Sequence, residues 1–88
     1  MRSGVSYSVR IKDSAAKELA HLPRDAKERL IDAIDRLGEE PLAGNLLKGE
    51  LRGLRRLRVG DYRIVYEVRS DELIVLVVHV AHRREAYR

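Results

Sequence analysis

Cysteine is absent, which excludes a disulfide framework and any thiolate metal site. The three histidines, His21, His79 and His82, are scattered and argue against a structural zinc centre. Long hydrophobic runs are missing as well. The longest spans residues 73–78, whereas about 20 apolar residues are needed to cross a bilayer. Met1-Arg2-Ser3-Gly4 carries no hydrophobic signal core. A soluble, cytoplasmic protein without a membrane partner is therefore expected. There are no repeats, low-complexity tracts, glycine-rich phosphate loops or metal-ligand spacings. None of Ser3, Ser6, Ser8, Ser14 and Ser70 sits in a triad context. The 88 residues make a single domain, residues 1–88, too short for a dinucleotide-binding unit.

What is present is a folded composition with a localised charge. The hydrophobic fraction is 44%, normal for a globule. Eighteen Lys and Arg against fourteen Asp and Glu leave a formal charge of +4. Between residues 48 and 63 stand Lys48, Arg52, Arg55, Arg56, Arg58 and Arg63, against only Glu50 and Asp61. That stretch holds the whole net charge, because the remaining bases and acids cancel. Arginine greatly outnumbers lysine in this chain. Its planar fork binds phosphate in two-pronged fashion, whereas lysine acts as a point charge. A concentrated arginine patch points to a polyanion, of which nucleic acid is the commonest.

Hydrophobic periodicity predicts the order βααβββ. Residues 5–11 alternate Val5, Tyr7, Val9, Ile11 against Ser6, Ser8, Arg10, the pattern of a half-buried strand. Asp13 is placed to cap a helix running to about His21, with Ala16, Leu19 and Ala20 on one side. Pro23 suits the start of a second helix, whose Ala26, Leu30, Ala33, Ile34 and Leu37 form one stripe and whose C-cap is Gly38. Residues 39–51 read as a loop. Residues 54–59, 62–69 and 73–80 read as strands, the last apolar on both faces and so central. The expectation is an α+β fold: a two-helix hairpin packed on one face of a small, mainly antiparallel four-stranded sheet, followed by a basic tail over residues 81–88.

Gly60-Asp61 is a two-residue hairpin signal. It sets Val59 opposite Tyr62, Arg58 opposite Arg63, Leu57 opposite Ile64 and Arg56 opposite Val65. Since side chains alternate faces, Leu57, Val59, Tyr62, Ile64, Tyr66 and Val68 share the face under the helices. Arg56, Arg58 and Arg63 share the other. Arg58 facing Arg63 is a like-charge pair, which costs a few tenths of a kcal/mol or more. An external anion relieves it, as does a neighbouring acid such as Glu67. The tail, with His82, Arg83, Arg84, Glu85, Tyr87 and Arg88, starts beside this cluster. Its tyrosine either stacks on an exposed base or anchors the C-terminus to the domain.

Arg58-Val59-Gly60-Asp61-Tyr62-Arg63-Ile64-Val65-Tyr66, followed by a hydrophobic strand and His82-Arg83-Arg84-Glu85-Ala86-Tyr87-Arg88, resembles the RelE branch of the RelE/ParE toxin superfamily over nearly the whole chain. The resemblance implies the toxin of a type II toxin–antitoxin pair. It implies an endoribonuclease (an mRNA interferase) that enters the ribosomal A site and cuts mRNA without metal or small-molecule cofactor. The 2′-hydroxyl attacks the adjacent phosphate and a 2′,3′-cyclic phosphate is left. By the same resemblance Arg63 stabilises the phosphate, Arg83 protonates the leaving group and Tyr87 stacks on the substrate base. Arg55, Arg58, Lys48, Arg52 and Arg84 are expected to bind RNA phosphate. The implied partners are a cognate antitoxin, the ribosome and mRNA.

The pattern departs from the family where lysines precede the hairpin: Leu54 and Arg56 stand there instead. Arginine stays protonated at neutral pH and is a poor base. Either Arg56 only binds phosphate or another group takes the proton. His82 is the first candidate, because an imidazole titrates near neutrality; Glu67 and Glu85 follow. His79, counted as facing the core, and His21, at a helix end, read as structural. Two other functions remain open. One is a ParE-like poison of DNA gyrase. The other is a non-catalytic basic module, a decayed toxin that binds RNA or protein.

Overall fold

The computed structural model describes residues 6–82. In chain order its elements are β1 (Ser8–Ile11), α1 (Asp13–Ala20), α2 (Arg24–Leu37), β2 (Asn45–Leu46), β3 (Leu54–Val59), β4 (Tyr62–Arg69) and β5 (Ile74–His82), with a short 3-10 turn at Gly49–Leu51. The strands form one sheet in the order β1-β5-β4-β3-β2. β1 runs parallel to β5, and the other neighbours are antiparallel. The α+β layering expected from the pattern is present, with a mixed five-stranded sheet in place of four strands.

Both helices bury their apolar stripes against the same face. Ala15 and Leu19 of α1 and Leu30, Ile34 and Leu37 of α2 pack with Ile64, Tyr66, Val75, Val77 and Val80 of the sheet. Each large aliphatic side chain so buried stabilises by about 1.5–3 kcal/mol. The predicted stripe of α2 is the one that is buried. In α1 the inward pair is Ala15 and Leu19, while Ala16 and Ala20 are exposed. Lys12, not Asp13, is the N-cap, and Asp13 lies in the first turn. A carboxylate there still complements the positive end of the helix dipole.

The ends of several elements are set by tertiary contacts. β1 starts at Ser8 because the Tyr7 N–H turns away to the Gly38 carbonyl, at 2.7 Å. Gly38 is the C-cap of α2 at an ordinary φ of −62°. Its glycine is required by proximity: a Cβ would stand 2.9 Å from the Tyr7 carbonyl oxygen and 3.2 Å from Val9 Cγ2. Gly60 does need its freedom, sitting at φ 60° at the start of the β3–β4 turn.

The segment expected as a plain loop contains β2, and the reason lies in a buried phenol. Tyr66, 0% exposed, donates its hydroxyl proton to the Pro41 carbonyl at 2.8 Å and accepts the Gly44 N–H at 2.9 Å. Arg55 Nη1 donates to the Gly44 carbonyl at 2.7 Å. Residues 41–44 are thus tied down, and Asn45 and Leu46 arrive opposite Arg56 and Arg55. The approach is close enough that a Cβ on Gly44 would meet the Arg56 carbonyl oxygen at 2.6 Å and the Tyr66 hydroxyl at 2.9 Å. Gly44→Ala is therefore expected to destabilise by about 1–3 kcal/mol, as overpacking against backbone does. Urea unfolding measures this, and an unchanged midpoint would mean the segment shifts freely.

β5 carries the largest departure from simple alternation. Val65 pairs with His79 but Tyr66 pairs with Val77, so Val78 is an extra residue in β5. This bulge changes the phase of the strand. Val75 and Val77 face the core before it, and Val80 faces the core after it. His79, expected to face the core, instead lies at the strand edge with its Nδ1 2.9 Å from Glu18.

Candidate functional site

The β3–β4 hairpin pairs in the register that the turn predicts: Arg58 with Arg63, Leu57 with Ile64, Arg56 with Val65. Leu57, Val59, Tyr62 and Ile64 belong to the core side. Alternation therefore places Arg56, Arg58 and Arg63 together on the face opposite the helices. Arg58 and Arg63 are directly opposed. Arg56 and Arg63 are diagonal neighbours, a separation of about 7–8 Å between backbones. Val65, 4% exposed, completes the square as an apolar corner. Arg58 is exposed, and Arg56 and Arg63 are half-buried with their Nε atoms shielded from solvent.

A concavity of about 120 Å³ beside the turn is lined by Arg58, Gly60, Tyr62 and Arg63. Arg58 also borders a groove of about 410 Å³ between α2 and β3, with Arg29, Ala33, Arg36 and Leu57 on its walls. Chemically the hairpin offers closely spaced guanidinium groups at a partly desolvated surface. Such a set holds a phosphate through several charge-assisted hydrogen bonds and stabilises charge that builds up on it.

Not every predicted residue joins this cluster. Arg55 lies on the core side, its guanidinium bonded to the Gly44 carbonyl, because one step along a strand changes the face. It supports residues 41–44 and does not extend the arginine patch on the other face. Lys48 and Arg52 are exposed and flank the 3-10 turn before β3. They stand at the far end of that strand from Arg58, about 13 Å away at the usual rise per residue.

His82 pairs with Tyr62, and the two rings meet edge to face with centroids 5.4 Å apart. The bulge at Val78 has put His82 on the Tyr62 side, so this candidate base faces away from Arg63. Glu67 is engaged by Arg69, Nε to Oε1 at 3.1 Å. Arg83, Arg84, Glu85 and Tyr87 lie outside the described residues. The strand leading to them does reach the cluster, since Ala81 faces Arg63.

Two residues not singled out from sequence shape this region. Tyr66 appeared only as a core residue, but its hydroxyl organises the loop beside Arg56. Burial raises the Tyr66 phenol above its usual pKa of 10.0, a shift opposed in part by the Gly44 N–H and by Arg55. Glu18 reaches β5 across 62 residues of sequence, a contact that no local pattern announces. Among the described residues no cluster of His, Cys, Asp and Glu is arranged to hold a metal ion, and no helix is long and apolar enough to cross a membrane.

The sequence model of the family described as the ParE toxin of type II toxin–antitoxin system, parDE, matches residues 9–87. Toxin RelE of Mycobacterium tuberculosis is 32% identical over 84 residues, which cover 93% of this chain and 87% of the relative. Toxin RelG of the same organism is 33% identical over 84 residues, covering 93% of this chain and 97% of the relative. Among solved structures, the toxin–antitoxin complex RelBE2 from M. tuberculosis aligns with a TM-score of 0.86 at 30% identity, covering 97% of this chain and 100% of that one. The archaeal RelE–RelB complex from Pyrococcus horikoshii OT3 aligns at 0.75 and 28% identity, covering 92% and 99%.

Proposed function

From the premise that this chain belongs to the RelE/ParE superfamily and is the toxin of a type II toxin–antitoxin system, we propose that it is a ribosome-dependent endoribonuclease that cleaves mRNA in the A site. The observation that carries this reading is the Arg58–Arg63 cross-strand pair, with Arg56 diagonal to it, on the face opposite the helices. Like charges opposed in a sheet are unfavourable, and a bound phosphate turns the arrangement into a stabilising one.

In this mechanism Arg63 and Arg58 hold the scissile phosphate, and Arg56 adds a third positive charge. The attacking 2′-hydroxyl gives up its proton to a general base and bonds to phosphorus, the bond from phosphorus to the 5′-oxygen breaks, and a 2′,3′-cyclic phosphate remains. Charge on the crowded phosphate rises in the transition state, where fixed guanidinium groups contribute most. Arg83 supplies the proton to the departing oxygen, and Tyr87 stacks on the adjacent base. Arg56 is a phosphate ligand and not the base, because its guanidinium is already protonated at neutral pH and has no free site to accept the hydroxyl proton. The ribosome and mRNA are the partners in the cytoplasm. A cognate antitoxin is the partner at rest, and it neutralises the toxin by covering the arginine face.

A translation assay with mapped mRNA ends tests the proposal. Cuts within the A-site codon are expected. Intact mRNA with broken DNA would instead identify a gyrase poison, a reading favoured by the ParE description of the matching family. No effect of either kind would leave a non-catalytic binding module. Affinity for ribosomes is also expected to fall steeply with salt, because each phosphate neutralised releases condensed counterions. For contacts from Arg56, Arg58 and Arg63 alone the log–log slope is about −2, taking single-strand behaviour. A flat titration would remove this face as the docking surface.

A further inference from the structure

β1 neighbours β5 only over residues 74–77. Past that point the outer edge of β5 has no strand beside it among the described residues. A bare edge leaves backbone donors in search of partners. Here α1 fills the gap with one carboxylate. Glu18 Oε1 accepts the Val80 N–H at 2.9 Å, and Glu18 Oε2 lies 2.9 Å from His79 Nδ1. A carboxylate only accepts, so His79 donates from Nδ1. Two consecutive residues of β5 are gripped by the two oxygens of one side chain.

The grip has a particular place in the chain. It falls just after the bulge at Val78 and just before Ala81, which faces Arg63. One residue beyond Ala81 the strand ends at His82, and the sequence continues into Arg83-Arg84-Glu85-Ala86-Tyr87. Glu18 therefore holds β5 where the strand passes the arginine cluster and leads into the tail. Hydrogen bonds to an ionised acceptor are about twice as strong as neutral ones. The tether is strong for a side chain that is 36% exposed.

We infer that Glu18 is a positioning residue: it fixes the end of β5 at Ala81, the residue that faces Arg63, and so the point from which the chain continues into residues 83–88. The inference rests on the proposed cleavage reaction, in which Arg83 and Tyr87 touch the substrate. Glu18 itself touches no reacting atom. Its effect is on alignment, where an error of about 1 Å costs up to a hundredfold in rate.

The test compares wild type, Glu18→Ala, Glu18→Asp and Glu18→Gln in single-turnover mRNA cleavage on programmed ribosomes, together with amide exchange at Val80. Glu18→Ala is expected to lower the saturated rate about ten- to a hundredfold. The ribosome concentration for half-saturation should stay within about twofold, as for a group that acts only in the chemical step. Exchange at Val80 should speed up. Glu18→Gln keeps an oxygen for the Val80 N–H and is expected to recover most of the rate. Glu18→Asp keeps the charge but is one methylene short, so it should be slow, and it replaces the alanine variant if that fails to fold. Wild-type rates in the short variants, a loss confined to ribosome binding, or unchanged Val80 exchange would overturn the inference. Equal impairment of the glutamine and alanine variants would do the same. If the wild type itself does not cleave mRNA, the functional reading fails on its own. The tether is then judged by Val80 exchange and by the amide shifts of residues 83–88 in Glu18→Ala, which must change for it to stand.

Discussion

Arg63→Ala is expected to lower the rate of mRNA cleavage by at least about a hundredfold, the scale seen when one fixed donor to a developing oxyanion is removed. Arg63 is the member of the cluster that is paired on both sides. It opposes Arg58 on β3 and Ala81 on β5, and it borders the concavity beside the turn. Stability should change little by comparison. Removing it relieves the like-charge opposition with Arg58, worth a few tenths of a kcal/mol or more, and this offsets part of the lost packing of its half-buried stem. Arg63→Lys sharpens the test. It keeps the charge but loses the planar two-pronged fork, so it should rescue ribosome binding better than it rescues the chemical step. Single-turnover cleavage, read beside urea unfolding of the same proteins, separates the two. An alanine variant that folds and still cuts at the wild-type rate would remove Arg63 from the site.

Tyr66→Ala is expected to destabilise the fold by about 3–5 kcal/mol, the usual cost of truncating a buried aromatic. Small domains have only about 5–15 kcal/mol in total, so this variant sits near the limit of folding. The ring belongs to the core cluster that includes Ile34, Leu37, Ile64 and Val77, and its hydroxyl is the pivot of residues 41–44. Tyr66→Phe isolates the second role. It leaves the Pro41 carbonyl and the Gly44 N–H without this partner, at about 1–3 kcal/mol where a buried group is left unsatisfied. The raised phenol pKa adds a dependence on alkaline pH. A group whose proton is held more tightly in the folded state contributes stability in full below its unfolded pKa. Wild type should therefore lose stability as pH climbs above the reference value of 10.0, and Tyr66→Phe should lose less. A phenylalanine variant as stable as wild type, with the same alkaline profile, would show that the hydroxyl bonds hold nothing.

The arginine cluster was legible because it depends on local information. Gly60-Asp61 sets the turn, the turn sets the register, and period-two alternation sets the faces. The β3 and β4 boundaries follow for the same reason. β5 was legible as a strand but not in phase. Residues 73–78 are aliphatic on both faces, so nothing in the pattern marks the extra residue at Val78. That one bulge moves His79 from the core to the edge and His82 from the arginine face to the Tyr62 side. β2 was hidden for a different reason. Pro41, Gly44, Asn45 and Gly49 have loop chemistry, and the strand exists because a phenol 25 residues from Pro41 in sequence holds the segment in place. Arg55 was counted with the phosphate ligands on composition, although alternation already places it on the other face.

Because β1 pairs only with β5 among the described residues, the first described strand to leave a translating ribosome waits for the last one. The β3–β4 hairpin closes on local contacts, but the sheet spanning both ends of the described chain involves long loop closure, the slow kind of folding step. Until residues 74–77 are synthesised, residues 8–11 have no strand to join. A toxin assembled in this order keeps its sheet open while its own message is being read, and closes it only after residues 74–77 have been made.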